Sequence, residues 1–230
     1  MVQDRADSQG PGPHALRTRI IETARAMNAA GINHNAAGNV SARSGGGFLI
    51  TPTGLRYSDL VPSDISEMSI AVGGGEAAEG SRLPSSEWRF HHDIYLTRPD
   101  AGAVVHTHSP AATALSCLRR DIPPFHYMVA ATGGASIRCA DYAIYGSQQL
   151  SDNALAALAD RKACLLANHG VIALGADLET AFELAVEVEA LAGQYLTALA
   201  VAEPILLTDA EITEAIEKFA TYGQQKSRAD

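Results

Sequence analysis

The sequence predicts an α/β fold, a mixed and mostly antiparallel sheet covered by helices. Three observations predict it. Short apolar runs come in pairs joined by tight glycine or asparagine turns, which is how antiparallel strands are connected. Stretches with a 3.6-residue apolar period lie between those pairs. No linker or repeat divides the chain, so strands and helices share one core.

The elements follow in order. Ala15 to Ala30 reads as a helix with Leu16, Ile20, Ile21, Ala24 and Met27 on one face, stopped by Gly31. Gly38 to Arg43 and Phe48 to Thr51 flank Ser44-Gly45-Gly46-Gly47 and form a hairpin. Pro52-Thr53-Gly54 is a tight turn, Ile65 to Ile70 a further strand, and Gly73 to Gly80 a flexible connector. Pro84-Ser85-Ser86-Glu87 opens a helix that reaches Leu96, with a serine cap and an acid in the first turn. Ala103 to Thr107 is a short buried strand and Pro110 to Leu118 a helix. Ala163 to Ala167 and Val171 to Leu174 are strands joined by the turn Asn168-His169-Gly170. Leu178 to Ala200 and Asp209 to Thr221 are the last helices.

Composition narrows the function classes. The chain has 230 residues and a formal charge of -9, without a Lys/Arg cluster, which argues against a nucleic-acid partner. An acidic protein can still hold an anion locally, with backbone amides, hydroxyls or a metal. No apolar run approaches the ~20 residues that span a bilayer. Cys117, Cys139 and Cys164 are scattered and form no CxxC pair, so reduced thiols, most of them buried, and a cytoplasmic location are expected. Residues 1–13 mix charge, Gly and Pro without an apolar core, unlike a signal peptide, and are expected to be a loose tail. Residues 14–230 are expected to form a single domain.

The chemistry centres on His106-Thr107-His108. On a strand, residues i and i+2 face the same way, so two imidazoles converge there. A catalytic zinc takes three protein ligands and keeps one position open, and His169, at the rim of a turn, is the best third ligand. Glu87 stands at a helix start, where an acid complements the helix dipole for about 0.3–1 kcal/mol without any catalysis. Its alternative is proton transfer at a metal-bound substrate. Ser85 and Ser86 can cap that helix or hold a phosphate at its N-terminus. Gly38-Asn39 and Thr53-Gly54 are ordinary turn residues that also offer amides to an anion.

Gly38-Asn39-Val40-Ser41, Leu49 to Gly54, Gly80 to His91, Arg98 to Ala101, Ala103 to His106, His126-Tyr127-Met128, Asn168-His169-Gly170 and Tyr222-Gly223 together resemble the class II aldolase/adducin family. The resemblance spans about residues 14 to 223. It implies a three-layer α/β/α fold around a mostly antiparallel sheet, assembled as a homotetramer with sites between subunits. His106, His108 and His169 match the family's zinc ligands, where Mn²⁺ or Co²⁺ could also serve. Glu87 matches the acid that moves the substrate proton and can ligate the metal in the substrate-free site. Gly38, Asn39, Thr53, Gly54, Ser85 and Ser86 match the phosphate-binding positions. Tyr127 matches a tyrosine that reaches the neighbouring subunit's site, and Tyr222 one that closes over the substrate.

The implied reaction is reversible cleavage of a ketose 1-phosphate, a phosphorylated sugar, to dihydroxyacetone phosphate and an aldehyde. A divalent cation stabilises the negative charge left on C3, so no Schiff-base lysine is required. Lys162, Lys218 and Lys226 are the only lysines, and none lies in a site motif. His-Thr-His-Ser-Pro and Tyr145 depart from the family's sugar-phosphate aldolases, which leaves open the aldehyde half. The ketose could be L-fuculose 1-phosphate-like, a 5-deoxypentulose 1-phosphate or 5-methylthioribulose 1-phosphate. A dehydratase, a decarboxylase or a pentulose-phosphate 4-epimerase on the same site are the alternatives, and an adducin-like binding module is the non-enzymatic one. His91 and His92 are expected to be structural or at the surface, His14 and His34 to face solvent, and Trp88 to pack. His126 is a candidate for orienting Tyr127.

Overall fold

A computed structural model of the chain describes residues 12–71, 75, 77–78 and 81–219. The first helix, α1 (Pro13–Ala29), starts with proline, whose missing N–H costs nothing at that position. It buries Ile20, Ile21, Ala24 and Met27 and stops at Gly31, which takes a left-handed φ of 72°. The expected hairpin is β1 (Asn39–Ser44) and β2 (Gly47–Ile50), with Ser41 opposite Ile50 and Ser44 opposite Gly47. Next come β3 (Ser66–Ser69), α2 (Trp88–Thr97), β4 (Ala103–Thr107) and α3 (Pro110–Cys117). The chain continues through β5 (Arg138–Ala140), α4 (Gln148–Ala157), β6 (Ala163–Leu166), β7 (Gly170–Gly175), α5 (Leu178–Leu199) and α6 (Asp209–Phe219).

The strands form one sheet in the order β3-β2-β1-β4-β7-β6-β5. Among the described residues every strand pairing in it is antiparallel except β5 with β6. The central strand β4 is buried on both faces, and its side chains alternate between two cores. Ala103 and Val105 pack with α1 and α5, while Val104 packs with α2 and α4. Helix α3 joins α5 on the first face through Ala112, Leu115, Val188 and Leu191. The result is the expected α/β/α layering. Each fully buried valine or leucine in these layers contributes roughly 1.5–3 kcal/mol. Helix α5 is started by Asp177, whose carboxylate accepts from the Thr180 amide at 2.8 Å. No helix among the described residues is long and apolar enough to cross a membrane.

Several expectations need correcting. Helix α2 begins at Trp88, not at Pro84-Ser85, and Glu87 is its N-cap residue without a capping side-chain bond. Ser85 instead closes a turn, accepting from the Glu87 and Trp88 amides. Strand β5 and helix α4 are additions to the expected elements. Only Cys164 of the three cysteines is buried; Cys139 is half-buried, and Cys117, the last residue of α3, is exposed. His91 and His92 are both buried, whereas His14 and His34 are exposed as expected. Residues 1–11 of the expected tail, part of the Gly73–Gly80 connector, the end of the last helix and Tyr222 lie outside the described residues, and Pro13 belongs to α1 rather than to a tail.

Candidate active site

The site assembles where β4, the β6–β7 turn and the start of α2 meet. His106 is the fourth residue of β4, fully buried, and lies opposite Asn39 of β1 on one side and Ile172 of β7 on the other. Its Nδ1 is 2.9 Å from the Val171 carbonyl oxygen. A carbonyl only accepts, so Nδ1 carries a proton, and Nε2 is the ring atom turned toward the cluster. His108 follows just beyond the strand. His169 sits in the β6–β7 turn after Asn168, whose left-handed φ of 55° turns the chain there. Its amide bonds the Leu166 carbonyl at 3.0 Å, and the Ser116 hydroxyl lies 3.3 Å away.

The three rings make a nearly equilateral set, with centroids 4.9, 4.8 and 4.9 Å apart for His106–His108, His106–His169 and His108–His169. Two backbone approaches leave no room for a Cβ. One added to Gly38 would lie 2.3 Å from the His106 carbonyl oxygen, and one added to Gly170 would lie 2.3 Å from that of Thr107. Glycine at 38 and 170 therefore lets the neighbouring strands close around the ligand-bearing end of β4.

Glu87 reaches into this set from α2. Its Oε2 is 3.2 Å from His106 Nε2, its Oε1 3.2 Å from His169 Nε2, and His106 Nε2 is 3.1 Å from His108 Nε2. Burial opposes ionisation of Glu87, but the His106 and His169 imidazoles outweigh it and hold the carboxyl far below the usual carboxylate range. Burial, with His106 and His169 beside it, pushes the His108 imidazole down to about 4.

These donors fit a divalent ion. One ligand atom from each of Glu87, His106, His108 and His169 lies within 4.8 Å of all the others. Tetrahedral donors at the usual zinc distances stand roughly 3.3–3.5 Å apart, close to the 3.1–3.2 Å separations here. Glu87 Oε1 is buried and receives no well-directed hydrogen bond from the described residues, so its lone pairs are available to a cation.

A cleft of about 290 Å³ opens over this cluster, lined by Ser86, Glu87, His108, His169, Tyr142 and Tyr145 among others. The expected phosphate positions are neighbours. An isolated bridge pairs Pro52 with Pro84, the Thr53 amide bonds the Leu83 carbonyl, and the Ser85 amide bonds that of Thr51. Thr53, Gly54 and Ser86 are exposed, Ser85 is buried, and Gly54 has a left-handed φ of 72°. The Gly38 amide already donates to Asn33 Oδ1 at 2.9 Å, and the Asn39 amide group donates to Glu87 Oε2 at 3.0 Å. Tyr127 is not in its own chain's cleft. It is 55% exposed and packs near α6, where its ring stacks 6.3 Å from that of Phe219. His126 Nδ1 accepts from the Met128 amide and so shapes the turn that carries Tyr127.

Residue patterns missed part of the site. His91 Nε2 faces Asn39 Oδ1, His91 Nδ1 lies 2.6 Å from Ser41 Oγ, and that oxygen lies 2.8 Å from the Tyr95 hydroxyl. The spacing was available: Glu87, His91 and Tyr95 fall at i, i+4 and i+8, and Asn39 and Ser41 at i and i+2. Tyr142 and Ile144 join Tyr145 on the cleft wall.

Comparison with known proteins places the chain in a family. Residues 18–196 match the model of the Class II Aldolase and Adducin N-terminal domain. A 5-methylthioribulose-1-phosphate/5-deoxyribulose-1-phosphate aldolase of Rhodospirillum rubrum is 54% identical over 91% of this chain and 93% of its own length. An L-fuculose phosphate aldolase of Escherichia coli K12 is 50% identical over 90% of this chain and 95% of its own. A solved L-fuculose 1-phosphate aldolase superposes with a TM-score of 0.86 at 36% identity, covering 94% of this chain and all of that one. With its fold and nearly its whole length matched in this way, the chain belongs to the class II aldolase and adducin family.

Proposed function

We propose that this protein is a metal-dependent aldolase, a carbon–carbon lyase that reversibly cleaves a ketose 1-phosphate to dihydroxyacetone phosphate and an aldehyde. The observation that carries the reading is the convergence of His106, His108, His169 and Glu87 at one end of β4. The family uses a divalent metal, and three imidazoles with a carboxylate suit Zn²⁺, or Mn²⁺ or Co²⁺. When bound, the ion supplies a Lewis acid for the charge that builds on carbon as the C3–C4 bond breaks.

The chain's own groups do the rest. In the cleavage direction Glu87 delivers a proton to C3, and in synthesis it removes one. In the substrate-free site it would serve as a further ligand to the ion. Its ionised state in the imidazole cluster suits the synthetic direction, where a base is needed. Tyr127 takes the proton of the C4 hydroxyl in a neighbouring subunit's cleft, which fits a homotetramer with sites between subunits and a tyrosine exposed away from its own cleft. Gly38, Asn39, Thr53, Gly54, Ser85 and Ser86 hold the phosphate, which orients the reacting carbons from a distance. Tyr222 closes over the substrate. Residues 14–230 act as a single domain, in the cytoplasm.

Tyr142, Ala143, Ile144 and Tyr145 give the cleft a largely apolar wall. Such a wall suits an aldehyde ending in a methyl or methylthio group, as in a 6-deoxyketohexose, 5-deoxypentulose or 5-methylthioribulose 1-phosphate. The test is release of dihydroxyacetone phosphate from a panel of these ketose phosphates, before and after chelation and after adding back Zn²⁺, Mn²⁺ or Co²⁺. Loss on chelation and recovery with a divalent ion are expected. Full activity of metal-stripped protein would remove the metal from the mechanism. Turnover without dihydroxyacetone phosphate would point to a dehydratase, decarboxylase or epimerase.

A further inference from the structure

Five side chains on two elements interlock behind the cleft. Helix α2 offers Tyr95 and His91, with Glu87 at its N-cap; β1 offers Ser41 and Asn39. Their contacts alternate between the elements: Tyr95 to Ser41, Ser41 to His91, His91 to Asn39, Asn39 to Glu87. All five are buried, and Ser41 and His91 are fully so.

The direction of each bond follows from donor and acceptor chemistry. The Asn39 NH₂ group donates to Glu87 Oε2 at 3.0 Å. The Asn39 carbonyl oxygen then faces His91 Nε2, which must carry the proton. In the neutral ring Nδ1 is bare and accepts from the Ser41 hydroxyl at 2.6 Å. The one Ser41 proton is thereby used, so the Tyr95 hydroxyl donates to Ser41 at 2.8 Å. Every donor points toward the carboxylate. Aligned hydrogen bonds polarise one another and strengthen the last of the series. Without His91 the Asn39 amide could turn over and face Glu87 with its carbonyl, acceptor against acceptor.

We infer that His91, Ser41 and Tyr95 are positioning residues for proton transfer: through Asn39 they fix the orientation of the Glu87 carboxylate by a one-way chain of donors. This rests on the aldolase reading for its kinetic consequence, but the hydrogen-bond direction does not depend on it.

The test compares the wild type with His91→Phe, Ser41→Ala and Tyr95→Phe as metal-loaded proteins. Three quantities are read: kcat for cleavage, solvent exchange of the C3 proton of dihydroxyacetone phosphate, and metal dissociation constant by chelator competition. His91→Phe, which offers no donor to Asn39, is expected to slow proton exchange and cleavage roughly 10-fold or more, as removal of a group behind a ligand does. Tyr95→Phe, which keeps the ring and the packing, should slow them about 2- to 3-fold through weaker polarisation. Metal affinity should change much less than the rates, because His106, His108 and His169 are left in place to hold the ion. Folded variants that exchange and cleave at the wild-type rate overturn the inference, as does a loss of metal affinity that matches the loss of rate.

If wild-type protein neither cleaves nor exchanges, the aldolase reading fails, and the chain is judged by ¹⁵N NMR of ring-labelled histidine. His91 protonated at Nε2 and bare at Nδ1 is the expected tautomer. A proton on Nδ1 overturns the inference whatever the activity.

Discussion

Glu87 and His169, far apart in the chain, stand with Oε1 and Nε2 3.2 Å apart. The carboxylate is therefore turned away from the helix end it caps and toward the imidazoles. Dipole complementation, the ordinary role of an acid at this place, does not explain a buried carboxylate between His106 and His169. A buried acid stays charged only where cationic or donor groups offset its desolvation.

The first prediction concerns that charge. Glu87→Gln keeps the shape and removes the base. Metal content per chain should stay near that of the wild type, because three imidazoles remain. Cleavage should fall by about 100-fold or more, as for loss of a positioned general acid or base. Metal analysis with steady-state kinetics checks both, and a wild-type rate would remove Glu87 from the chemistry.

Much of this arrangement is legible in the sequence, for identifiable reasons. His106 and His108 fall on one side by the alternation of an extended segment, although β4 itself ends at Thr107, and His169 lies in a turn whose Asn-His-Gly composition marks it. The sheet's hairpins follow from their glycine turns. Less legible is whatever depends on pairing between distant elements. His91 looks like any histidine on a helix until β1 is laid against α2, and only then do Ser41 and Asn39 meet it. Strand β5 has three residues, too few to display a period, and is held by β6. Helix α4 does carry a signal, since Ser147 accepts from the Leu150 amide as an N-cap, but its apolar face is short. The late start of α2 has a tertiary cause: Ser85 is bonded to Thr51 across the neighbouring segment, and Glu87 is committed to the imidazoles.

Gly38→Ala tests the close approach of β1 to β4. The added methyl would lie 2.3 Å from the His106 carbonyl oxygen and 2.8 Å from Asn33 Oδ1. Backbone must shift, and overpacking of this kind costs about 1–3 kcal/mol. The displaced segment carries Asn39 and faces His106, so metal affinity should weaken several-fold as well. Urea unfolding and chelator competition measure the two effects. A variant with unchanged midpoint and affinity would show that the strand end adjusts freely.

Asn168 makes two separable contributions beside His169. Its left-handed φ of 55° is costly for most residues, and its Oδ1 accepts from Arg119 Nε at 3.0 Å. Asn168→Ala loses both and should destabilise by about 1 kcal/mol or somewhat more. Asn168→Gly loses only the contact, since glycine adopts this φ without strain, and the contact is an exposed one. The glycine variant should therefore retain most of the stability. Equal unfolding midpoints for the two variants would mean that backbone conformation at 168 contributes nothing.

Acidification should expose the burial of His91. Burial, with His106 nearby, pushes its imidazole from the ordinary 6.5 down to about 3, against the opposing pull of Glu87. Its ring stacks 4.6 Å from Phe90, and Asn39 and Ser41 occupy its two nitrogens. The unfolded chain takes up a proton at this histidine below about pH 6.5, while the folded chain does not until about pH 3. The unfolded state thus binds more protons across that window, and stability rises with pH there. The His91 contribution is fully present above about pH 6.5 and is lost as pH falls toward 3, by up to several kcal/mol in total. His91→Phe cannot take up that proton in either state. It should be less stable than the wild type at pH 7, because Asn39 and Ser41 lose their partner, yet the gap should narrow as the pH is lowered from 7 to 4.5. Urea unfolding of both proteins across this range gives the comparison, and a gap that stays constant or widens would mean that the histidine is protonated in the folded protein after all.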